Sequence, residues 1–175
     1  MSGPIVLVVM GVSGSGKTTI AKPVAARLGW DFEEGDELHP PANIAKMKAG
    51  HALTDADRGP WLTAVRGWID AEIEAGRSGV ITCSALKRAY RDRLRRPEVR
   101  FVYLKGDEAM IRQRVEHRTG HFMPVSLLDS QFDTLEPPTD DEHPLIIDTH
   151  QPIDAQVEEI CRAALPSDQL PPPAR

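Results

Sequence analysis

Gly11-Val-Ser-Gly-Ser-Gly16-Lys17-Thr18 is the stretch on which the fold turns. It fits the pattern G-x-x-x-x-G-K-[ST] at every fixed position. Its flanks fit as well: the apolar run Ile5–Met10 precedes it, and a helical pattern from Thr18 to Leu28 follows. A strand that runs into a glycine turn and then a helix is the context in which this pattern cradles phosphate. Gly11, Gly14 and Gly16 let the backbone curl so that successive N–H groups point inward. The following helix aims its positive end at the same point. Lys17 brings a cation to the β- and γ-phosphates, and the Thr18 hydroxyl supplies a ligand to Mg²⁺. The nucleotide-binding set read here is Gly11, Ser13, Gly14, Ser15, Gly16, Lys17, Thr18 and Thr19.

Working outward, short apolar runs alternate with helical patterns along the chain. The runs are Ile5–Met10, Gly79–Ser84, Val99–Lys105 and Pro144–Asp148, with a weaker strand at Asp31–Gly35. The helical segments are Gly16–Leu28, Asp57–Ala75, Lys87–Arg96, Glu108–Arg118 and Ile153–Leu165. Continuous apolar strands need cover on both faces. The expectation is therefore an α/β fold of the P-loop NTPase type: three layers, a mostly parallel central sheet and helices on both faces. In the longest segment Trp61, Leu62, Val65, Trp68, Ile69 and Ile73 recur at helical spacing and read as core. Asp57 reads as its cap, with Pro60 in the first turn. Residues 34–56 and 119–126 read as long polar loops, the kind that carry function or disorder.

The chain has 175 residues, one domain's worth, and 41% of them are apolar. The domain is expected over residues 1–165. The proline-rich stretch Pro166–Arg175 reads as a disordered tail. A net charge of -5 speaks against a nucleic-acid partner. No stretch approaches the length of a membrane span, and no signal peptide is legible at the start. Cys83 and Cys161 have no metal-binding spacing and read as free core thiols, which suits a cytoplasmic protein.

The loop says nucleotide binding but not its purpose. No Asn-Lys-x-Asp guanine motif is present, and the strand Val80-Ile-Thr-Cys-Ser84 ends without a carboxylate. Both absences point toward the small-molecule and nucleotide kinases. A kinase needs a carboxylate near the attacking hydroxyl. Phe32-Glu-Glu-Gly-Asp-Glu-Leu-His39 supplies candidates. Glu34 and Asp36 alternate, so on an extended strand end they point the same way. A solvated acidic loop is the competing reading.

At these residues the sequence resembles the gluconokinases. The resemblance rests on Met10–Thr18, Glu34-Gly-Asp-Glu-Leu-His-Pro40, Asn43-Ile-Ala-Lys-Met47, Asp55-Ala-Asp-Arg-Gly-Pro-Trp-Leu62, Cys83-Ser-Ala-Leu-Lys-Arg-Ala-Tyr-Arg-Asp92 and Gly120-His-Phe-Met-Pro124. Ser130-Gln131 and Thr134-Leu-Glu136 continue it. It implies a nucleoside-monophosphate-kinase-like fold with a mobile lid, here about residues 117–130, and a homodimer. The implied reaction takes ATP and D-gluconate to ADP and 6-phospho-D-gluconate with Mg²⁺. Asp36 is then the base or orienter at the substrate hydroxyl, and Glu34 sits near the metal's water shell.

A polyhydroxy acid needs cations and polar donors. Arg58, Lys87 and Arg91 fall in the matching segments and are the candidates for its carboxylate, with His39 for a hydroxyl. Gln131 reaches either substrate or nucleotide. Arg118 resembles the lid arginine of this fold class, and Arg114 shares its helical face. The catalytic set expected is Lys17, Asp36 and Arg118. His117 and His121 are four apart, but no third ligand is evident, so they read as ordinary side chains and not as a metal pair. A shikimate- or nucleotide-kinase-like enzyme and a non-enzymatic nucleotide-binding domain are the alternatives.

Overall fold

The computed structural model describes residues 3–117 and 126–173. In chain order its elements are β1 (Val6–Met10), α1 (Lys17–Leu28), β2 (Asp31–Glu34), α2 (Pro41–Lys48), α3 (Asp55–Glu74), β3 (Gly79–Thr82), α4 (Arg88–Leu94), β4 (Val99–Lys105), α5 (Glu108–Glu116), α6 (Ser126–Thr134), β5 (Leu145–Asp148) and α7 (Ile153–Ala164). The five strands form one sheet in the order β2-β3-β1-β4-β5, and every pairing is parallel.

The period-two geometry of β1 explains why its whole run is apolar. Val6, Val8 and Met10 face α3 and α4, packing with Trp61, Leu62, Val65, Ile69 and Leu94. Leu7 and Val9 face α1 and α7, packing with Ile20, Val24, Val157 and Ile160. Both faces of the strand are therefore buried. Cys83 and Cys161 are free and buried, one on each side of the sheet. Burial pushes the Cys83 thiol up to about 12, so it stays protonated and inert at neutral pH.

Three local expectations change. Residues 34–56 are not one long loop, because they contain α2, which starts with Pro41 at a position where proline's missing N–H costs nothing. The N-cap of α3 is Thr54, not Asp57. The Thr54 hydroxyl accepts from the Asp57 amide at 3.1 Å, and Asp57 Oδ2 accepts from the Thr54 amide at 2.8 Å. This is a reciprocal capping box, so Asp57 is its third helical residue and Pro60 falls in the second turn. The stretch after α7 also has structure up to residue 173. Ser167–Gln169 form a short turn, Leu170 packs on the α1/α7 side of the core, and Arg27 Nε donates to the Pro171 carbonyl at 3.1 Å. One apolar anchor outweighs the proline-rich composition there.

Candidate active site

Parallel strands put all their carboxyl ends on one edge of the sheet, and a ligand cleft belongs there. A cleft of about 780 Å³ opens at that edge. The phosphate loop leaves β1 into it. Gly11, Gly14 and Gly16 all have positive φ, 147°, 80° and 96°. At Gly14 a Cβ would also come within 2.5 Å of the Val115 side chain, so only glycine lets α5 pack on the loop. Lys17 folds back on the loop, its Nζ 3.0 Å from the carbonyls of both Gly11 and Val12. Ser15 Oγ is buried with no hydrogen-bond partner among the described residues. An orphaned hydroxyl among inward-facing amides fits an anionic ligand.

The second wall comes from the end of β2. Gly35 follows Glu34 at a close approach of two backbones: a Cβ there would lie 1.8 Å from the Thr82 carbonyl oxygen. Its amide donates to Thr82 Oγ1 at 3.0 Å, and its carbonyl accepts from Trp61 Nε1 at 2.8 Å. With both backbone groups clamped, the flanking carboxylates are aimed. Thr18 Oγ1 donates to Glu34 Oε2 at 2.6 Å, and Thr82 Oγ1 donates to Glu34 Oε1. Asp36 lines the same cleft, half-buried.

Thr18 and Glu34 are hard oxygen donors side by side. Among the described residues no group of three or more His, Cys, Asp or Glu side chains is placed to hold a metal ion. That donor set suits Mg²⁺, which keeps much of its water and takes phosphate oxygens in preference to an all-protein cage.

The third wall carries His39 and Arg58. His39 is buried and stacked on Trp61, with ring centroids 4.2 Å apart and planes 14° from parallel. Burial pushes its pKa down to about 4, and Arg58 pushes it the same way while Asp36 opposes them. The imidazole is therefore neutral at pH 7. Arg58 Nη1 donates to the Tyr90 hydroxyl at 3.0 Å, which sets its side chain along the wall.

A family model described as an AAA domain matches residues 6–138. The gluconokinase of Gluconobacter oxydans is 50% identical over 161 residues, which cover 91% of this chain and 90% of that protein. The chain belongs to the gluconokinase family. Two solved structures agree. A sugar kinase from Janibacter sp. superposes with a TM-score of 0.85 at 51% identity, covering 90% of this chain and 92% of that one. A gluconokinase from Sinorhizobium meliloti superposes at 0.79 and 46% identity, covering 91% and 90%.

In this gluconokinase fold most of the expected residues converge. Ser13, Gly14, Ser15, Gly16, Lys17, Thr18 and Thr19 line the cleft with Glu34, Asp36, His39, Arg58 and Gln131. Gly11 anchors the loop from below, its amide donating to the Ser84 carbonyl at 3.3 Å. Gln131 lies at the nucleotide loop, with its Oε1 accepting from the Ser13 amide at 2.7 Å. Arg114 is also on the wall and donates to the Thr149 carbonyl at 3.3 Å.

Two expected carboxylate ligands do not converge. Arg91 is fully buried away from the cleft, committed to Glu142 and to the carbonyls of Ala85 and Leu86. Fully buried and outside the cleft lining, this guanidinium cannot reach a substrate there. Lys87 pairs with Asp55 at 3.1 Å and is not part of the cleft lining. Arg118 and most of the lid expected at about 117–130 lie outside the described residues, and the part from Ser126 is the start of α6.

Two cleft residues, Trp61 and Gln156, and the buried Asn43 behind His39 were missed in the sequence. Trp61 was legible only as core, and Asn43 and Gln156 were not singled out for any role. Gln156 lines the cleft near Gln151, and its Nε2 donates to the Gln151 carbonyl at 2.9 Å. Nothing in the local pattern marks it.

Proposed function

We propose that this chain transfers the γ-phosphoryl group of ATP to the 6-hydroxyl of D-gluconate, giving ADP and 6-phospho-D-gluconate. The observation that carries the reading is the meeting, in one cleft, of the phosphate loop with Asp36 and the cation Arg58. That relatives of this chain are gluconokinases favours gluconate as acceptor.

The chemistry needs little covalent help from the protein. The loop amides and Lys17 hold the β- and γ-phosphates and take up charge as the bond between the γ-phosphorus and its bridging oxygen breaks. Asp36 orients the 6-hydroxyl and accepts its proton as the new P–O bond forms. Arg58 pairs with the gluconate carboxylate, fixing which end of the acid faces the phosphate. Thr18 would hold Mg²⁺ directly and Glu34 would hold it through water. The ion would supply charge neutralisation on the phosphates. Arg118 is proposed as a further cation for the transferring group. A homodimer is proposed from the family resemblance. A cytoplasmic setting is proposed from the two free thiols.

The test is coupled ADP release with ATP and Mg²⁺, comparing D-gluconate with no acceptor, glucose, shikimate and AMP. Release confined to gluconate is expected. Release with another of these acceptors and not with gluconate removes the acceptor assignment, and no release with any of them removes the enzyme reading.

A further inference from the structure

Asn43 sits on α2 with its side chain buried, and its amide nitrogen has two neighbours. One is the Asp57 backbone carbonyl at 2.9 Å, and the other is His39 Nδ1 at 3.3 Å. A carbonyl oxygen only accepts, so the Asn43 atom facing Asp57 is Nδ2 and not Oδ1. That settles the amide's orientation by chemistry. The same NH₂ group then has one hydrogen left for His39 Nδ1, 3.3 Å away. An amide nitrogen donates and does not accept. His39 Nδ1 must therefore be the bare, accepting nitrogen of the ring, and the neutral ring's proton must be on Nε2.

The rest of the ring is also fixed. One face lies on Trp61. Nε2 makes no hydrogen bond among the described residues, and it is not among the buried atoms that lack one. It is the ring's remaining polar atom on a wall of the cleft that also holds Asp36 and Arg58.

We propose that Asn43 is a positioning residue that holds His39 in the Nε2–H tautomer, so that the ring presents a permanent neutral donor to an acceptor oxygen of the acid substrate. This rests on the acceptor reading above only for the identity of that oxygen's owner. A neutral donor adds directionality without a second full charge beside Arg58, and it does not compete with Asp36 for a proton. The charged groups that bear on the ring are Asp36 and Arg58. Their opposed effects, with burial dominant, leave the ring uncharged over the range in which an ordinary histidine titrates.

The first readout is the ¹⁵N spectrum of histidine-labelled wild-type protein, with the His39 signals assigned by their loss in His39→Gln. A pyridine-type Nδ1 and a pyrrole-type Nε2 at neutral pH are expected. A protonated Nδ1 overturns the proposal, whatever the enzyme phosphorylates. The second readout is kinetic. Asn43→Ala should raise the KM for gluconate about tenfold with kcat within about twofold, and Nδ1 should gain proton occupancy. His39→Gln places an amide N–H close to where Nε2–H was and has no tautomer to lose. In that background Asn43→Ala should leave KM unchanged, and an equal loss there marks Asn43 as merely structural and overturns the proposal.

Discussion

The backbone amide of Ser13 donates a 2.7 Å hydrogen bond to Oε1 of Gln131, joining the phosphate loop to α6 across 118 positions of sequence. A neutral acceptor there satisfies a loop amide without putting negative charge where phosphates bind. Gln131→Glu keeps an acceptor for that amide and adds the charge. It should leave the thermal midpoint of the nucleotide-free protein unchanged or raised, because a charged acceptor makes the stronger bond. It should also weaken ATP binding about tenfold or more through like-charge repulsion. Gln131→Ala loses the bond to Ser13, about 1 kcal/mol of stability, with a smaller effect on affinity. Calorimetric titration with ATP beside thermal unfolding separates the two signs. A tightened ATP affinity in Gln131→Glu would refute the assignment.

Asp36 is the proposed proton acceptor, and the clamped Gly35 precedes it at the end of β2. Asp36→Asn keeps the shape and removes the base. Turnover should fall about 10²-fold or more while ATP affinity stays within about twofold. Near-normal turnover in that variant removes Asp36 from the mechanism. Gly35→Ala reaches the same end by geometry, because its Cβ has to move away from the Thr82 carbonyl, 1.8 Å distant. It should lower both turnover and the unfolding midpoint, where Asp36→Asn lowers turnover alone.

These two cases mark what the sequence disclosed and what it withheld. The loop was legible because its chemistry is local: consecutive backbone amides, a lysine and a hydroxyl within eight positions. The sheet was legible for a similar reason, since strands buried on both faces write continuous apolar runs. Trp61 was legible as a buried side chain, but its second use, holding Gly35 and His39, depends on partners more than twenty positions away. Arg91 was legible as a cation. Only the fold reveals that Glu142, 51 positions on, consumes it. The eight-residue α2 buries only Asn43 and Met47, too few to write a helical period.

Arg58 and Lys87 were equal candidates for the substrate carboxylate by sequence, and the fold separates them. Arg58 lines the cleft, whereas Lys87 is held by Asp55 outside it. Arg58→Ala should raise the KM for gluconate at least about tenfold, the cost of one charge-assisted contact. Lys87→Ala should change it by less than about threefold, in keeping with an exposed ion pair. Steady-state kinetics at saturating ATP decides, and equal effects in the two variants would return Lys87 to the site.

Arg91 and Glu142 make a pair that is buried on both sides, with side chains each 1% exposed. Arg91 Nε reaches Oε1 at 2.7 Å and Nη2 reaches Oε2 at 3.1 Å, while Nη1 holds the Ala85 carbonyl at 2.9 Å. Ala85 has φ 44°, an unfavourable backbone for a residue with a Cβ, and this contact helps to keep it there. The role is therefore structural: it fixes the turn after β3 against the segment before β5. Removing Arg91 leaves the buried Glu142 carboxylate with only the outlying Arg95, 3.2 Å from Oε1, and the Thr139 amide at 2.9 Å, so the loss falls toward the low end of the range for a broken buried pair, about 3 kcal/mol. Arg91→Ala should show that loss in urea unfolding at pH 7, with the KM for gluconate unchanged in the folded fraction. The hydrogen bonds from Arg91 hold Glu142 down at about 2 against an ordinary 4.5. A depressed carboxylate contributes its full stability above the unfolded value and loses it as pH falls through the folded one. Glu142→Gln should thus be clearly less stable than wild type at pH 7. The gap should narrow from about pH 4.5 downward, as the wild type gives up the contribution that the variant never had. A gap that stays constant from pH 7 to pH 3 would mean that the pair's charge does not stabilise the fold.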